Sequence, residues 1–282
     1  MIDTHAHLNF PSLLEQIEKV VAESQKAGIT EIIIAGSSIK DSACAVELAQ
    51  KYPGYLFASV GIHPHKTDPE NQMPIEEQLQ SLERLILDAK RSPLGAIVAI
   101  GETGLDFSLA PPGNEDRPKE EQIRLFQEHI KLAQKYNLPL IIHAREAVDE
   151  VIEILTMKQW NNEAMKGVFH CYAGGRKRIQ KILDLDSPDT FDTSETSDTF
   201  PHWYFGFDGN LTYDEGLQAV VKLIPPERIL IETDSPFLAP VPHRGEINTP
   251  AYLPLIQEKI NEILGQDLTK QIEKNTRKLF NF

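Results

Sequence analysis

Short runs of β-branched and aliphatic residues alternate with amphipathic stretches along most of this chain of 282 residues. Apolar runs of roughly four to eight residues are typical of buried strands, whereas apolar positions recurring every three to four residues predict helices. The pattern predicts eight strands, over residues 2–8, 31–36, 55–62, 97–102, 139–143, 167–171, 203–207 and 229–233.

Helical periodicity fills the intervals between these strands. It predicts helices over residues 12–27, 40–52, 75–91, 119–136, 146–158, 175–185, 213–223 and 251–264, with a ninth helix at about 269–279. Eight strand–helix units in a row favour an α/β fold of the (β/α)8 TIM-barrel type with an extra C-terminal helix. The alternative is a doubly wound open sheet, which usually carries a Gly-rich phosphate turn after its first strand. Here that position reads His7-Leu8-Asn9-Phe10-Pro11, so we expect residues 1–282 to form a single barrel domain.

Two stretches are longer than a minimal barrel needs. Residues 108–118 follow the fourth predicted strand, which makes them a loop on the carboxyl-terminal face, where barrel active sites lie. Residues 186–202 precede the seventh predicted strand and are rich in Ser, Thr and Asp without any Lys or Arg. We expect this acidic insertion to be a solvated loop on the opposite face, away from the chemistry.

Composition and charge narrow the class of protein. Two cysteines, Cys44 and Cys171, lie far apart without a CxxC spacing, which is typical of a reducing, cytoplasmic environment rather than of a disulfide framework. No apolar run approaches the roughly 20 residues of a membrane helix, and the chain opens without a signal-peptide pattern. The formal net charge of −14 opposes indiscriminate binding of nucleic acid at long range.

Polar residues that bind metals cluster where the predicted strands end. In a parallel barrel all of these ends meet at one face, so side chains from different strands come together there. In the first strand, His5 and His7 are two residues apart and therefore share a face. The residues placed at this face are His5, His7, His63, His65, Glu102, His143, His170, Asp234 and His243.

Imidazole and carboxylate ligands suit a divalent ion such as Mg²⁺, Mn²⁺ or Zn²⁺. More of them meet here than one tetrahedral site can use, and two ions that share a carboxylate would accommodate them. Two divalent ions about 3.5–4 Å apart serve hydrolysis, especially of phosphodiesters. The competing signatures Gly-x-Ser-x-Gly and Gly-x4-Gly-Lys are both absent from the sequence.

With these residues in view, the sequence resembles the TatD family of metal-dependent deoxyribonucleases, within the amidohydrolase-like barrels. The resemblance runs almost from end to end and rests on several blocks in the family's order. These blocks are Asp3–His7, Gly61–His65, Gly101–Asp106, Leu138–Ala147, Phe169–Gly174, Glu232–Pro236, Arg244-Gly245, Asn248, Pro250, Tyr252 and Asn275–Phe280.

The resemblance implies a role for each matching residue. His5, His7 and Asp234 would bind one divalent ion, His143 and His170 a second, and Glu102 would bridge the two. From the composition of this site we further expect Asp234 and Glu102 to be the catalytic residues, with Asp234 accepting a proton from the attacking water. The residues expected around the substrate are His63, His65, Arg145 and Arg244.

The resemblance further implies a deoxyribonuclease that cleaves single-stranded or nicked DNA from an end, with no membrane and no obligate protein partner. This sequence departs from the family at Glu246-Ile247, where basic residues are usual, and at Phe107, where Tyr is usual. These departures bear on substrate preference. A metal-dependent hydrolase of a small ester or amide, or of aminoacyl-tRNA esters, is therefore the alternative, and a non-catalytic binding protein is a weaker one.

Overall fold

The fold was analysed in a computed structural model, which describes residues 1–68, 73–91, 96–160, 165–186 and 202–282. Eight parallel strands form one sheet whose spatial order follows the sequence order. The strands are β1 (Ile2–Ala6), β2 (Glu31–Ile34), β3 (Leu56–Val60), β4 (Ile97–Asp106), β5 (Leu140–Arg145), β6 (Gly167–Phe169), β7 (Trp203–Phe207) and β8 (Ile229–Ile231).

The sheet curls into a barrel that closes between its first and last strands. The backbone amide of Asp234, just after β8, donates to the carbonyl of His5 over 2.9 Å. The amide of His7 donates to the carbonyl of Ser235 over 2.7 Å. The structure therefore confirms the predicted (β/α)8 TIM barrel, and the closing bonds bring Asp234 next to the histidine pair.

Helices follow the strands on the outside of the barrel. They are α1 (Pro11–Leu14), α2 (Ile17–Lys26), α3 (Ile39–Lys51), α4 (Ile75–Arg91), α5 (Lys119–Tyr136), α6 (Val148–Leu155), α7 (Arg176–Leu183), α8 (Glu215–Val221), α9 (Leu253–Leu264) and α10 (Thr269–Phe280). Local chemistry sets several ends: the Ser38 side chain caps α3 by accepting from the amide of Asp41, and Gly265 ends α9 in a left-handed conformation.

The core has two layers, as the alternation of side chains along a strand requires. Ile33, Ile141, Val168, Tyr204 and Leu230 pack together inside the barrel. Leu279 and Phe280, at the end of α10, join this inner cluster. The other strand face packs against the surrounding helices in a larger apolar cluster. The extra C-terminal helix thus completes the apolar packing of the barrel interior, and the polar strand ends are left to form a site.

The clearest differences from the predicted boundaries lie in the first helix and the fourth strand. The helix predicted at 12–27 is two helices, because Gln16 has a non-helical backbone, although the apolar spacing continues across it. Strand β4 extends to Asp106, four residues beyond the predicted end. Residues 187–201 of the predicted acidic insertion lie outside the described residues; at its ends, the amide of His202 lies 3.3 Å from the Asp186 carboxylate.

None of the helices in the described parts of the chain combines the length and the apolar character needed to cross a membrane.

Candidate metal centre

Six side chains predicted as ligands converge at the carboxyl end of the barrel. His5 lies in β1 with His7 just beyond it, Glu102 lies in β4 and His143 in β5, while His170 and Asp234 follow β6 and β8. Glu102 and the histidines of β1 are buried, so the cluster sits within the barrel mouth and not on its rim.

Glu102 is the central member of this cluster. Its Oε1 lies 2.7 Å from Nδ1 of His143 and 2.9 Å from Nε2 of His170. Its Oε2 lies 3.6 Å from Nε2 of His5 and 3.7 Å from Nε2 of His7. Each carboxylate oxygen therefore faces a different histidine pair, which is the arrangement that a carboxylate shared between two ions requires.

Asp234 adds a carboxylate to the pair formed by His5 and His7. Its Oδ1 lies 3.3 Å from Nε2 of His7 and 3.6 Å from Nε2 of His5, and these two ring nitrogens are 3.2 Å apart. His5, His7 and Asp234 together form a donor set of the size that one ion needs. His5 also stacks on His170, with ring centroids 4.2 Å apart, so the two donor sets adjoin.

The charges of the buried side chains show whether a cation fits among the candidate ligands. In the described parts of the chain, Glu102 and Asp234 form ion pairs with histidines alone, so no Lys or Arg neutralises them. Burial alone would lower the pKa of His170, but Glu102 and the neighbouring acids raise it to about 10. The pKa values of His7 and His143 are raised by nearby carboxylates in the same way. The buried carboxylates thus demand positive charge, and a divalent ion among imidazole and carboxylate donors would supply it.

Asp106 holds His143 from behind. The Nε2 of His143 lies 3.0 Å from Oδ2 of Asp106, which leaves its Nδ1 directed at Glu102. Burial would raise the pKa of Asp106, but hydrogen bonds from His143 and Ser108 outweigh it and lower that pKa. Gly104 lets the two strands approach, because a Cβ at this position would collide with the carbonyl of His143. Sequence reasoning missed Asp106 as a site residue, although its even spacing from Glu102 along β4 places both side chains on one face.

His63 lies beside His143 and Glu102, with its ring centroid 4.6 Å from that of His143. The ring nitrogen that it directs at Glu102 carries a hydrogen atom and is not a lone-pair donor. The amide of His65 donates to Nδ1 of His63 over 3.0 Å, so a neutral His63 carries its hydrogen on Nε2. That Nε2 lies 3.6 Å from Oε1 of Glu102. Burial lowers the pKa of His63 to about 3. The neutral donor form favours a contact with substrate or with Glu102 over direct metal ligation.

His65 is much less accessible than His63. It is 1% exposed, with Nε2 3.4 Å from Oδ2 of Asp106 and Nδ1 3.7 Å from Oδ1 of Asp116. His65 therefore packs against Asp106 and supports its position. The contact of His65 with substrate stays a prediction.

The two predicted arginines lie on the carboxyl-terminal face, Arg145 at the end of β5 and Arg244 in the segment after β8. Arg145 ends β5 and is exposed, and no acid pairs with it in the parts of the chain that the structure describes. Arg244 lies over the ring of Tyr213, with its guanidinium carbon 4.2 Å from the ring centroid. Both guanidinium groups are therefore available to an anionic substrate.

A second layer of acids lies beneath the ligands and was not predicted. Glu232 is fully buried, accepts from the amide of Cys171 over 2.5 Å and lies 3.8 Å from Nδ1 of His170. Asp3 accepts from the backbone amides of His5 and Thr233. Burial raises the pKa of Glu232 to about 8 and that of Asp3 to about 7. Glu232 and Asp3 thus fix the backbone beside two ligand histidines.

Cys171 is also within reach of a metal, since it forms a further donor group with His170 and Asp234. Burial, followed by the charges of Asp208 and Asp234, raises the pKa of this thiol well above its usual value. A protonated thiol is a poor metal ligand, so Cys171 acts here as a small apolar side chain.

A parallel (β/α)8 barrel that gathers imidazole and carboxylate donors at its carboxyl face defines the class of metal-dependent hydrolase barrels. The family model described as TatD related DNase matches residues 2–281, and this chain belongs to that family. It is an enzyme of the metal-dependent hydrolase type that acts on ester bonds.

Individual relatives match over their whole length. The metal-dependent hydrolase YabD of Bacillus subtilis is 31% identical over 285 residues, covering 99% of this chain and 98% of the relative. The 3'-5' ssDNA/RNA exonuclease TatD of Edwardsiella piscicida is 32% identical over 290 residues, covering 99% of each. The crystal structure of YJJV, a TatD homologue from Escherichia coli, superposes with a TM-score of 0.81 at 25% identity over 100% of this chain and 98% of that one.

Proposed function

We propose that this protein is a metal-dependent deoxyribonuclease that removes nucleotides from an end of single-stranded or nicked DNA. The single observation that carries the proposal is the orientation of Glu102, whose two oxygens face separate histidine pairs at 2.7–2.9 Å and 3.6–3.7 Å. Relatives named as ssDNA/RNA exonucleases, such as that of Edwardsiella piscicida, support the choice of a nucleic-acid substrate.

The residues that would hold two divalent ions fall into two sets. His5, His7 and Asp234 would hold the first ion, His143 and His170 the second, and Glu102 would bridge them. Mg²⁺, Mn²⁺ and Zn²⁺ all accept such ligands. When bound, divalent ions supply Lewis acidity, which polarises a phosphoryl oxygen and lowers the pKa of water.

The protein's own groups would do the remaining work. Asp234, at the mouth of the site, can accept a proton from the attacking water. The Nε2–H of His63 and the exposed guanidinium of Arg145 can donate to the phosphate oxygens as negative charge develops. Asp106 would keep the ring of His143 in one orientation throughout.

Substitution of the bridging and terminal carboxylates tests this proposal. We expect Glu102→Ala or Asp234→Asn to remove metal-dependent cleavage of end-labelled single-stranded DNA, while circular dichroism still shows a folded barrel. Glu258→Ala, at an exposed acid of α9, is the matched control and should keep full activity. Full activity of purified Glu102→Ala protein would contradict the two-ion site.

A small-ester or aminoacyl-tRNA-ester hydrolase is the second candidate. The net charge of −14 and the exposed Glu246 near the site, which pairs with His243 at 2.9 Å, favour it because a polyanion would be repelled. Metal-supplemented protein assayed on single-stranded DNA beside chromogenic esters and lactones discriminates the two. Cleavage of DNA that falls as salt rises would support phosphate contacts.

A further inference from the structure

Exposed large apolar side chains concentrate on the face that carries the metal centre. Of the seven such residues in the described chain, five lie on loops that follow strands β1, β4 and β8. These five are Phe10, Leu109, Phe237, Val241 and Ile247, and the other two, Leu87 and Leu223, lie on α4 and just after α8. Isolated exposed apolar residues are ordinary, but a concentration around a polar site indicates a contact surface.

Two of the five are aromatic, and both are held on turns that start at candidate ligands. The amide of Phe10 donates to the carbonyl of His7 over 3.0 Å, and the amide of Phe237 donates to the carbonyl of Asp234 over 2.9 Å. The buried side chain of Asn248 also donates to the carbonyl of Phe237, over 2.6 Å. The backbone under each ring is therefore fixed relative to the metal centre.

The two rings touch each other and reach the ligand set. Their centroids are 5.3 Å apart with an interplanar angle of 74°, and the Phe237 ring lies 5.8 Å from that of His7. Phe10 and Phe237 remain 46% and 44% exposed despite these contacts. An aromatic surface thus runs without a break from a candidate ligand to the solvent.

We propose that Phe10 and Phe237 form a stacking platform for an unpaired nucleobase, that of the nucleotide next to the scissile phosphate. This inference rests on the proposed nuclease function and adds a base subsite to it. Every base has a flat π-face, so stacking on such a ring tolerates all sequences and needs no hydrogen-bond readout. It also supplies attraction that does not depend on phosphate contacts, which matters on a chain whose net charge is −14.

The platform would give the enzyme a preference for unpaired ends. A base inside a duplex already stacks on its neighbours, so only an unpaired terminal base can lie on Phe237 without the cost of unstacking. Single-stranded ends and frayed or nicked ends are therefore favoured over blunt duplex ends.

The test compares oligonucleotides labelled at either end, with a normal base or an abasic residue at the terminal nucleotide of the cleaved end. In the wild-type protein we expect the abasic residue to lower kcat/KM by about tenfold, since loss of one stacked base typically costs about fivefold or more. In Phe237→Ala the ratio between normal and abasic substrates should fall towards one. This ratio reports on the base subsite even if the substitution also lowers overall activity.

Two further variants complete the design. Phe237→Tyr keeps an aromatic face and should retain the wild-type ratio. Leu223→Ala, at a site 42% exposed and before β8 at the other end of the barrel, should also retain it. An unchanged ratio in Phe237→Ala, with DNA still cleaved by the wild type, would overturn the platform alone. Absence of DNA cleavage by metal-loaded wild-type protein would overturn the nuclease function and the platform together.

Discussion

Asp106 contacts the candidate metal centre through one hydrogen bond, between its Oδ2 and Nε2 of His143 over 3.0 Å. A carboxylate behind a ligand histidine fixes the ring and its tautomer, and its loss typically weakens metal binding about 10–100-fold. We therefore expect Asp106→Asn to weaken binding of the second ion by about that factor, measured by calorimetric titration with Mn²⁺. Equal weakening of both ions, or no change, would contradict the positioning role.

At the residue scale, the convergence of the candidate ligands could be predicted from sequence, whereas the residues that contact them from behind could not. Glu102 and His143 stand where apolar runs end and His5 lies in the first predicted strand, and barrel topology brings such positions together. Spacing along β4 places Asp106 on the same face as Glu102, but its hydrogen bond to His143 depends on a second strand. Glu232 likewise gains its role from the amide of Cys171, in the segment after β6. Burial distinguishes His65 from His63 in the same way, because it depends on packing across the barrel.

At the scale of elements, His129 ties helix α5 to the end of β3. Its Nε2 accepts from the amide of Ile62 over 3.1 Å, and its Nδ1 lies 2.7 Å from the carbonyl of Leu125 one turn earlier. Both contacts are met only by the neutral ring with its hydrogen on Nδ1. Burial accordingly lowers the pKa of His129 from 6.5 to about 4.

This depressed pKa predicts a pH dependence of stability. The unfolded chain takes up a proton below its pKa of 6.5 while the folded chain does not, so the contribution of His129 is complete above about pH 6.5. It is lost as the pH falls towards 4, by about 3 kcal/mol in all and by about 2 kcal/mol at pH 5. Urea unfolding of wild type and His129→Gln at pH 7.5 and pH 5 measures it. The difference in unfolding free energy between the two proteins should change by about 2 kcal/mol, and a constant difference would refute the assignment.

Element order and most boundaries followed from periodicity, and the exceptions have physical reasons. The apolar spacing of Leu13, Ile17 and Val20 continues through the break between α1 and α2, so the spacing cannot reveal it. The far end of β4 reads Gly-Glu-Thr-Gly-Leu-Asp, which lacks an apolar run and forms a strand because β5 pairs with it from Thr103 to Asp106. Pairing between two strands depends on both segments, so the periodicity of one segment cannot predict it.

At the scale of the whole molecule, the acidic surface would repel a DNA substrate, whereas the carboxylate-rich centre would attract it once divalent ions are bound. A net charge of −14 repels a polyanion at long range, while two divalent ions would make the barrel mouth locally positive. Binding of DNA should therefore depend on metal loading as well as on ionic strength. The proposed function depends most on the division of the candidate ligands into one set with His5, His7 and Asp234 and another with His143 and His170.

Metal titration of His7→Ala tests this division most directly. His7 belongs only to the donor set with His5 and Asp234, whereas His5 also stacks on His170. Metal-free wild-type protein titrated with Mn²⁺ in a calorimeter should bind two ions, His7→Ala should keep the ion held by His143 and His170, and Glu258→Ala should bind as the wild type does. Loss of both ions together in His7→Ala, or a single ion in the wild type, would contradict two sites joined by Glu102.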